Sequence, residues 1–225
     1  MKRGYRLEKD YLGSKKINSK AYYGVQTKRA IENFPISGLH IQKSLIYSIA
    51  IIKKAAAISN IKDRRLNLKK GRAIIKACDD ILKGKLDDQF PIDVFQAGAG
   101  TSENMNLNEV IANRSLELLK KKKGSYNIIN PNDHVNLSQS TNDVFHSAIH
   151  IAAYKEIKRD LIPSLIKLEK ELKIKSVKWK KVIKSGRTHL RDALPITLGQ
   201  EFGAYAEIIR KDRVHIEDDS RKLLE

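Results

Sequence analysis

The chain has 225 residues and a hydrophobic content of 41%, which is enough to bury a sizeable core and excludes a disordered protein. Cys78 is its only cysteine, which excludes an internal disulfide and a cysteine-rich zinc site and indicates a reducing cytoplasm. The longest apolar run, residues 45–52, is shorter than the about 20 residues of a membrane helix, so no membrane association is expected.

The formal net charge of +18 would suit nucleic acid, an anionic membrane surface or anionic substrates. The lysines are spread along the chain, and no known nucleic-acid module is visible. Abundant lysine, isoleucine and asparagine together are typical of compositional drift on solvated surfaces. We therefore expect no nucleic-acid partner, and a basic helical nucleic-acid binder stays as an alternative.

Helical spacing of apolar residues dominates the chain, and strand-like alternation is nearly absent. After an irregular start, this spacing predicts helices around residues 45–52, 74–82 and 104–124. A proline, an asparagine and an aspartate at residues 131–133 are typical of a turn.

Longer helices follow in the second half. We expect one over residues 143–161, another over 163–179 and, after a loop at 185–195, a last helix that continues to the chain end. Thr197 and Gln200 form the Thr-x-x-Gln capping box of that last helix. So long an amphipathic helix needs partner helices, from other chains or from further sequence.

Three clusters of small polar residues lie just before predicted helices or in the last loop, at residues 98–102, 138–143 and 186–189. One capping residue satisfies a helix start, whereas residues 138–143 offer six polar side chains. Short donors beside free N–H groups at a helix start make a site for a small anion. A small carboxylate substrate would suit such donors, and a plain turn with a helix cap stays as the alternative for these clusters.

A metal or cofactor is not expected. His146 and His150 have the i, i+4 spacing of a metal-binding pair, but no third ligand is evident in the sequence. No glycine-rich phosphate loop of the Gly-Lys-Ser type is present either.

Four segments carry a resemblance to a known family: AYYGVQTKRAIENFPISG (21–38), QAGAGTSENMNLNEVIANRSLELL (96–119), NPNDHVNLSQSTND (130–143) and GRTHLRDALPITLGQEFGAYA (186–206). In order and spacing they resemble the aspartase/fumarase superfamily, over nearly the whole chain. The resemblance implies an all-α fold, with a small N-terminal helical lyase domain (1–141) followed by the first long helices of a central helical bundle (142–225), truncated before its end. It also implies a homotetramer, or assembly with a polypeptide that carries the missing C-terminal part.

Small differences favour the aspartase branch of the superfamily. Ser-Thr-Asn-Asp at 140–143, Tyr-Tyr-Gly at 22–24 and Ala-Gly-Thr-Ser at 99–102 resemble aspartases more than fumarases. The implied reaction is elimination of ammonia from L-aspartate to give fumarate. A fumarate hydratase and a non-catalytic relic or subunit stay as alternatives.

The resemblance also implies residue roles. Elimination passes through a dianionic aci-carboxylate, which fixed hydrogen-bond donors must stabilise. Thr101, Ser140 and Thr141 match the family positions that hold the β-carboxylate of the substrate. Ser140 and Thr141 are therefore expected to act in catalysis as well as in binding.

The remaining matched positions surround the rest of the substrate. Asn142 and His189 match positions near the amino group, and Thr188 matches one that holds the α-carboxylate. His189 is expected to act in catalysis.

The sequence also departs from the family pattern. The 225 residues contain no Gly-Ser-Ser loop followed by Met-Pro-x-Lys-x-Asn, which supplies the serine base in the family. His146 stands where a proline is usual, and Arg191 replaces a common glutamine. Glu103 places a carboxylate beside the proposed anion site, which weakens anion binding unless the side chain points away.

Overall fold

A computed structural model describes residues 4–225, which divide into two compact units at Ala152 and Ala153. Helices dominate both units, so the all-α prediction is confirmed, although two short hairpins accompany the helices. The domain boundary expected at residues 141–142 stays a prediction. The main elements are β1 (Tyr5–Asp10), β2 (Gly13–Asn18), α1 (Val25–Asn33), α2 (Lys43–Lys62), α3 (Leu68–Leu82), α4 (Thr101–Leu118), α5 (Thr141–Glu156), α6 (Ile162–Lys178), β3 (Ile183–Thr188), β4 (Arg191–Thr197) and α7 (Leu198–Arg221).

The core of the first unit lies between α2, α3 and α4, whose apolar faces are buried together. The three helices predicted in this region are confirmed, although α4 begins at Thr101 and ends at Leu118. Each fully buried isoleucine or leucine contributes about 1.5–3 kcal/mol of transfer free energy. The valine, leucine and isoleucine side chains of these helices with no exposed surface are Ile49, Ile74, Ile81, Leu107, Val110, Ile111 and Leu116.

Helix α2 is long and apolar enough to cross a membrane by length and composition alone. Its Ile46, Ile49 and Ala50 nevertheless lie in the hydrophobic core, and its Lys53 is fully buried. The helix therefore has the burial of a core helix in a globular unit.

The N-terminal region is a β-hairpin, so the prediction of an irregular start was wrong. Strands β1 and β2 pair antiparallel, and Gly13 turns the chain with φ of 106°. Only Glu8 and Ile17 are buried in these strands, so the sequence lacks the apolar alternation that indicates a strand. Two 2.7 Å hydrogen bonds from Arg29 to Asp10 tie the hairpin to α1.

Helix α1 begins without a capping side chain of its own. The N–H groups of Gly24, Gln26 and Thr27 instead donate to Glu109 of α4 at 2.7–3.1 Å. A fourth N–H group of this first turn donates to Glu8 at 3.0 Å. Both carboxylates are buried, and burial raises the pKa of Glu109. Two side chains distant in sequence thus satisfy the start of α1.

The second unit consists of α6 and α7 packed together, with a hairpin between them in sequence. The capping box at Thr197 and Gln200 is confirmed, with both of its reciprocal hydrogen bonds formed. Trp179 packs edge-on against Phe202, with ring centroids 4.8 Å apart.

The loop predicted at residues 185–195 is also a hairpin, formed by β3 and β4. A register shift between Ser185 and Arg187 interrupts the pairing, and Pro195 lies within β4. Almost all side chains of this hairpin are at least partly exposed, so hydrophobic patterning does not reveal it.

No break separates the two long helices predicted at 143–161 and 163–179. A π-helical segment, Ile157–Leu161, follows α5 and leads directly into α6. Pro163 is the second residue of α6, which directly follows this π-helical segment, a local irregularity of the kind found where a proline interrupts the hydrogen bonds of a helix.

Candidate active site

The first polar cluster, residues 98–102, forms a tight turn that leads into α4. Ala99 and Gly100 are left-handed, with φ of 58° and 70°, and the Thr101 hydroxyl donates to the carbonyl of Gly98 at 3.1 Å. A Cβ atom on Gly100 would lie 2.2 Å from the ring of Phe145, so only glycine fits there. This turn leaves Thr101 exposed at the start of the helix.

The second cluster forms the start of α5. The Ser140 carbonyl accepts from the N–H groups of Asp143 and Val144 at 3.2 and 3.0 Å, and the Ser140 hydroxyl accepts from the Asn142 N–H at 3.2 Å. Capping therefore involves Ser140 and none of the side-chain atoms of Thr141 or Asn142. Ser140 and Asn142 are exposed, and Thr141 is half-buried.

The starts of α4 and α5 contact each other. The Asn104 amide donates to the Thr141 hydroxyl at 2.9 Å, beside the contact between Gly100 and Phe145. Because this hydroxyl accepts from Asn104, its own proton is free to donate to a ligand. Two positive helix ends side by side favour an anion. The four predicted residues of this unit, Thr101, Ser140, Thr141 and Asn142, all lie at these two helix starts.

A buried polar cluster lies behind Thr141, and sequence reasoning did not single it out. The side-chain oxygen of Asn136 accepts from Lys53 Nζ at 2.5 Å and from the amides of Asn104 and Asn108 at 3.3 Å each. Burial lowers the pKa of Lys53 to about 7. One feature of the sequence could have indicated this cluster. Two asparagines stand four residues apart in a helix of the core, and at that spacing they lie on the same, buried face.

Glu103 is buried, with 1% of its surface exposed, in the first turn of α4. Neither carboxylate oxygen has a hydrogen-bond partner among residues 4–225. Burial raises the pKa of Glu103 to about 8. The negative charge expected beside the anion site is thus disfavoured at neutral pH, because the carboxyl group holds its proton.

This burial predicts a pH-dependent stability. Folding raises the pKa of Glu103 from 4.5 to about 8, so the folded chain binds more protons than the unfolded chain between these values. Glu103 therefore lowers the unfolding free energy as pH rises, by up to about 1.4 kcal/mol per pH unit. Chemical denaturation of Glu103→Gln should show a stability gain that grows from pH 5 to 8. A gain that is constant with pH would contradict the assignment.

Thr188 and His189 lie in the second unit. Thr188 is the last residue of β3 and faces Arg191 across a two-residue turn. His189 and Leu190 form that turn with φ of 46° and 62°, and both are exposed. Asparagine and glycine are the residues that such turns favour.

His146 and His150 are both exposed on α5. Residues 4–225 contain no group of three or more histidine, cysteine, aspartate or glutamate side chains arranged to hold a metal ion. This pair therefore has no further ligand within the described part of the chain.

Comparisons with known proteins give one consistent result. The family described as Lyase matches residues 13–225. The chain is 51% identical to aspartate ammonia-lyase of Bacillus subtilis over 221 residues, 98% of this chain and 46% of that protein. It is 47% identical to class II fumarate hydratase of Helicobacter pylori over 98% of this chain and 48% of that protein.

A solved structure agrees with these relatives. The crystal structure described as fumarate lyase:delta crystallin from Brucella melitensis superposes with a TM-score of 0.93 and 47% identity, covering 97% of this chain and 51% of that one. The chain thus spans about half the length of the curated relatives that it matches.

Proposed function

The chain belongs to this lyase family, and we propose that it supplies the dicarboxylate-binding part of an aspartate ammonia-lyase. The observation that carries the proposal is the junction of two helix starts, where Asn104 holds the Thr141 hydroxyl and leaves its proton free. Ser140 offers a second free proton, because its hydroxyl accepts from the Asn142 N–H. Thr101 offers a third hydroxyl group, whose proton would have to leave the Gly98 carbonyl to reach the carboxylate. Such fixed donors suit a carboxylate whose charge increases during the reaction.

The reaction that this site would support is a β-elimination. A base removes a proton from Cβ of L-aspartate, and the β-carboxylate takes up charge as an aci-carboxylate dianion. That charge then forms the Cα–Cβ double bond of fumarate as the C–N bond breaks and ammonia leaves. We assign Thr101, Ser140 and Thr141 to the β-carboxylate, and the base to none of these 225 residues.

The remaining matched residues are assigned to the rest of the substrate. We propose that Asn142 and His189 bind near the amino group and that Thr188 binds the α-carboxylate. An imidazole nitrogen can accept a hydrogen bond from the ammonium group of L-aspartate, which keeps its three hydrogens and leaves as ammonia.

A fumarate hydratase is the main alternative, because relatives with that name are nearly as similar to this chain as the ammonia-lyase. Hydration would use the same carboxylate donors, with water in place of ammonia. The threonine at residue 141 is the observation that favours the ammonia-lyase, given the serine typical of fumarases in the matching motif.

The test is fumarate formation, followed by ultraviolet absorbance, from L-aspartate and separately from L-malate. We expect turnover of L-aspartate when the chain is co-expressed with a polypeptide that carries the remaining lyase sequence, and none with the chain alone. Turnover of malate only would favour the hydratase. Turnover by the chain alone would contradict the assignment of the base, and inactivity with both substrates would favour a non-catalytic subunit.

We also propose that α6 and α7 assemble with helices of other subunits into a homotetramer. Apolar side chains on both helices are exposed, including Ile174 at 47% and Val177 at 70%. Exposed apolar surface of this kind marks an interaction site in a soluble protein.

A charge-insertion variant tests this assembly. Replacing both Ile174 and Val177 by aspartate should reduce the oligomer mass measured by analytical ultracentrifugation, because buried unpaired charges oppose association. Ile58→Asp in α2, where the side chain is 50% exposed in the first unit, is the matched control and should keep the parent mass. An unchanged mass for the double variant would place the interface elsewhere.

A further inference from the structure

Lys53 is the one lysine of the core helices that lies fully buried, and its placement is unusual. Its ammonium group contacts no carboxylate within the described residues, and its single hydrogen bond goes to the side-chain oxygen of Asn136. The neighbouring Lys54 is half-exposed and pairs with Asp79. A buried amine without an opposite charge costs stability, so a purely structural role is poorly served by lysine here.

The hydrogen bonds of Lys53 lead to the proposed substrate site in two steps. Asn136 Oδ1 accepts a short bond from Lys53 and longer ones, 3.3 Å, from Asn104 and Asn108. Asn104 also donates to the Thr141 hydroxyl at 2.9 Å, the shorter of its two contacts. The side-chain oxygen of Asn104 has no partner among residues 4–225, so these two donations fix its orientation.

We propose that Lys53 is a positioning residue, which occupies Asn136 and thereby keeps Asn104 on the Thr141 hydroxyl. The inference rests on the proposed function, because it gives Lys53 a role at the dicarboxylate site. Three donors compete for one carbonyl oxygen that accepts two hydrogen bonds well. Without the amine of Lys53, Asn104 shortens its bond to Asn136 and draws away from Thr141.

The same geometry distinguishes a positioning role of Lys53 from a purely structural role. Methionine is unbranched like lysine, is one atom shorter and removes the unpaired amine, while Asn104 and Asn108 still satisfy Asn136. Lys53→Met should therefore keep or raise the melting temperature and still disturb Thr141. If Lys53 had a purely structural role, Lys53→Met would instead lower the melting temperature and cause no specific change at Thr141.

The first experiment uses NMR of the chain and needs no turnover. We expect Lys53→Met to shift the side-chain amide signals of Asn104 and the methyl signal of Thr141, and the control Lys54→Met to leave both in place. Lys53→Gln keeps a donor on a shorter side chain and should give a smaller shift. Unmoved signals in Lys53→Met, or failure of both Lys53 variants to fold, would overturn the proposal.

The second experiment uses the active assembly. Lys53→Met should lower kcat about 10- to 100-fold with KM within about twofold, because a misplaced donor acts mainly on the transition state. The effect should vanish in a Thr141→Val background, since the two residues act through one hydroxyl. An equal loss in both backgrounds would overturn the proposal. If the parent assembly is inactive, the NMR result still decides the position of Thr141 while the proposed function fails.

Discussion

Thr141→Val is expected to slow fumarate formation from L-aspartate by about 100- to 1,000-fold in the active assembly, the loss typical of one preorganised donor. Valine keeps the shape of threonine and removes the hydroxyl group that accepts from Asn104 and faces the proposed ligand. The loss should fall on kcat more than on KM, because the β-carboxylate carries most charge in the transition state. Steady-state kinetics at saturating L-aspartate measures both.

Thr141→Ser is the matched control, since it keeps the hydroxyl group and removes only a methyl group. It should retain most of the activity, in line with the serine found at the matching position of the fumarase motif. His189→Ala should lose turnover to a similar degree for a separate reason, the loss of the imidazole near the amino group. Near-normal rates in both Thr141→Val and His189→Ala would refute the assigned roles.

Glu109→Ala is expected to destabilise the first unit by about 3–5 kcal/mol, enough to unfold many proteins of this size. Three backbone N–H groups at the start of α1 lose their acceptor at a buried position, where Glu109 is 1% exposed. Urea denaturation followed by circular dichroism measures the loss. The same change at Glu156, an exposed residue of α5, should cost less than about 0.5 kcal/mol.

Gly24 belongs to the same arrangement. A Cβ atom there would lie 2.4 Å from the Tyr126 hydroxyl and 2.6 Å from Glu8, so the carboxylates approach the backbone only because residue 24 is glycine. If Glu109→Ala were as stable as the parent, the buried carboxylate would contribute nothing to α1, and the hydrogen bonds described here would be incidental.

The core helices were predictable because they obey the simplest physical pattern. Within each of these helices the apolar residues recur at helical spacing. Ile49 in α2, Ile74 in α3 and Ile111 in α4 belong to these patterns, and each is fully buried. The capping box at Thr197 was predictable for a similar reason, because its two residues satisfy each other locally.

The two hairpins were not predictable from the same patterns. Their strands bury almost nothing, so no alternation of apolar and polar residues marks them. Helix α1 was missed because its capping groups come from residues 8 and 109, far from it in sequence. Local capping signals cannot report partners of this kind.

The sequence indicated the exposed hydroxyl residues of the candidate site, but it did not indicate the buried polar residues behind them. Thr101, Ser140 and Thr141 stand out as an excess of hydroxyl groups before helices. Asn104 and Lys53 lie inside helical segments, where a buried polar residue looks the same in sequence as a solvent-facing one. Only their hydrogen bonds in the structure show that both side chains point into the interior.

The cap on α1 also sets an order of events during synthesis. Helix α1 emerges from the ribosome early, but the carboxylate that receives three of its N–H groups follows about 80 residues later. At 5–20 residues per second, the nascent chain waits roughly 4–16 seconds for that partner. Short isolated helices are marginal in water, so α1 becomes persistent only when α4 arrives. During that interval the N–H groups at the start of α1 have water as their acceptor in place of Glu109.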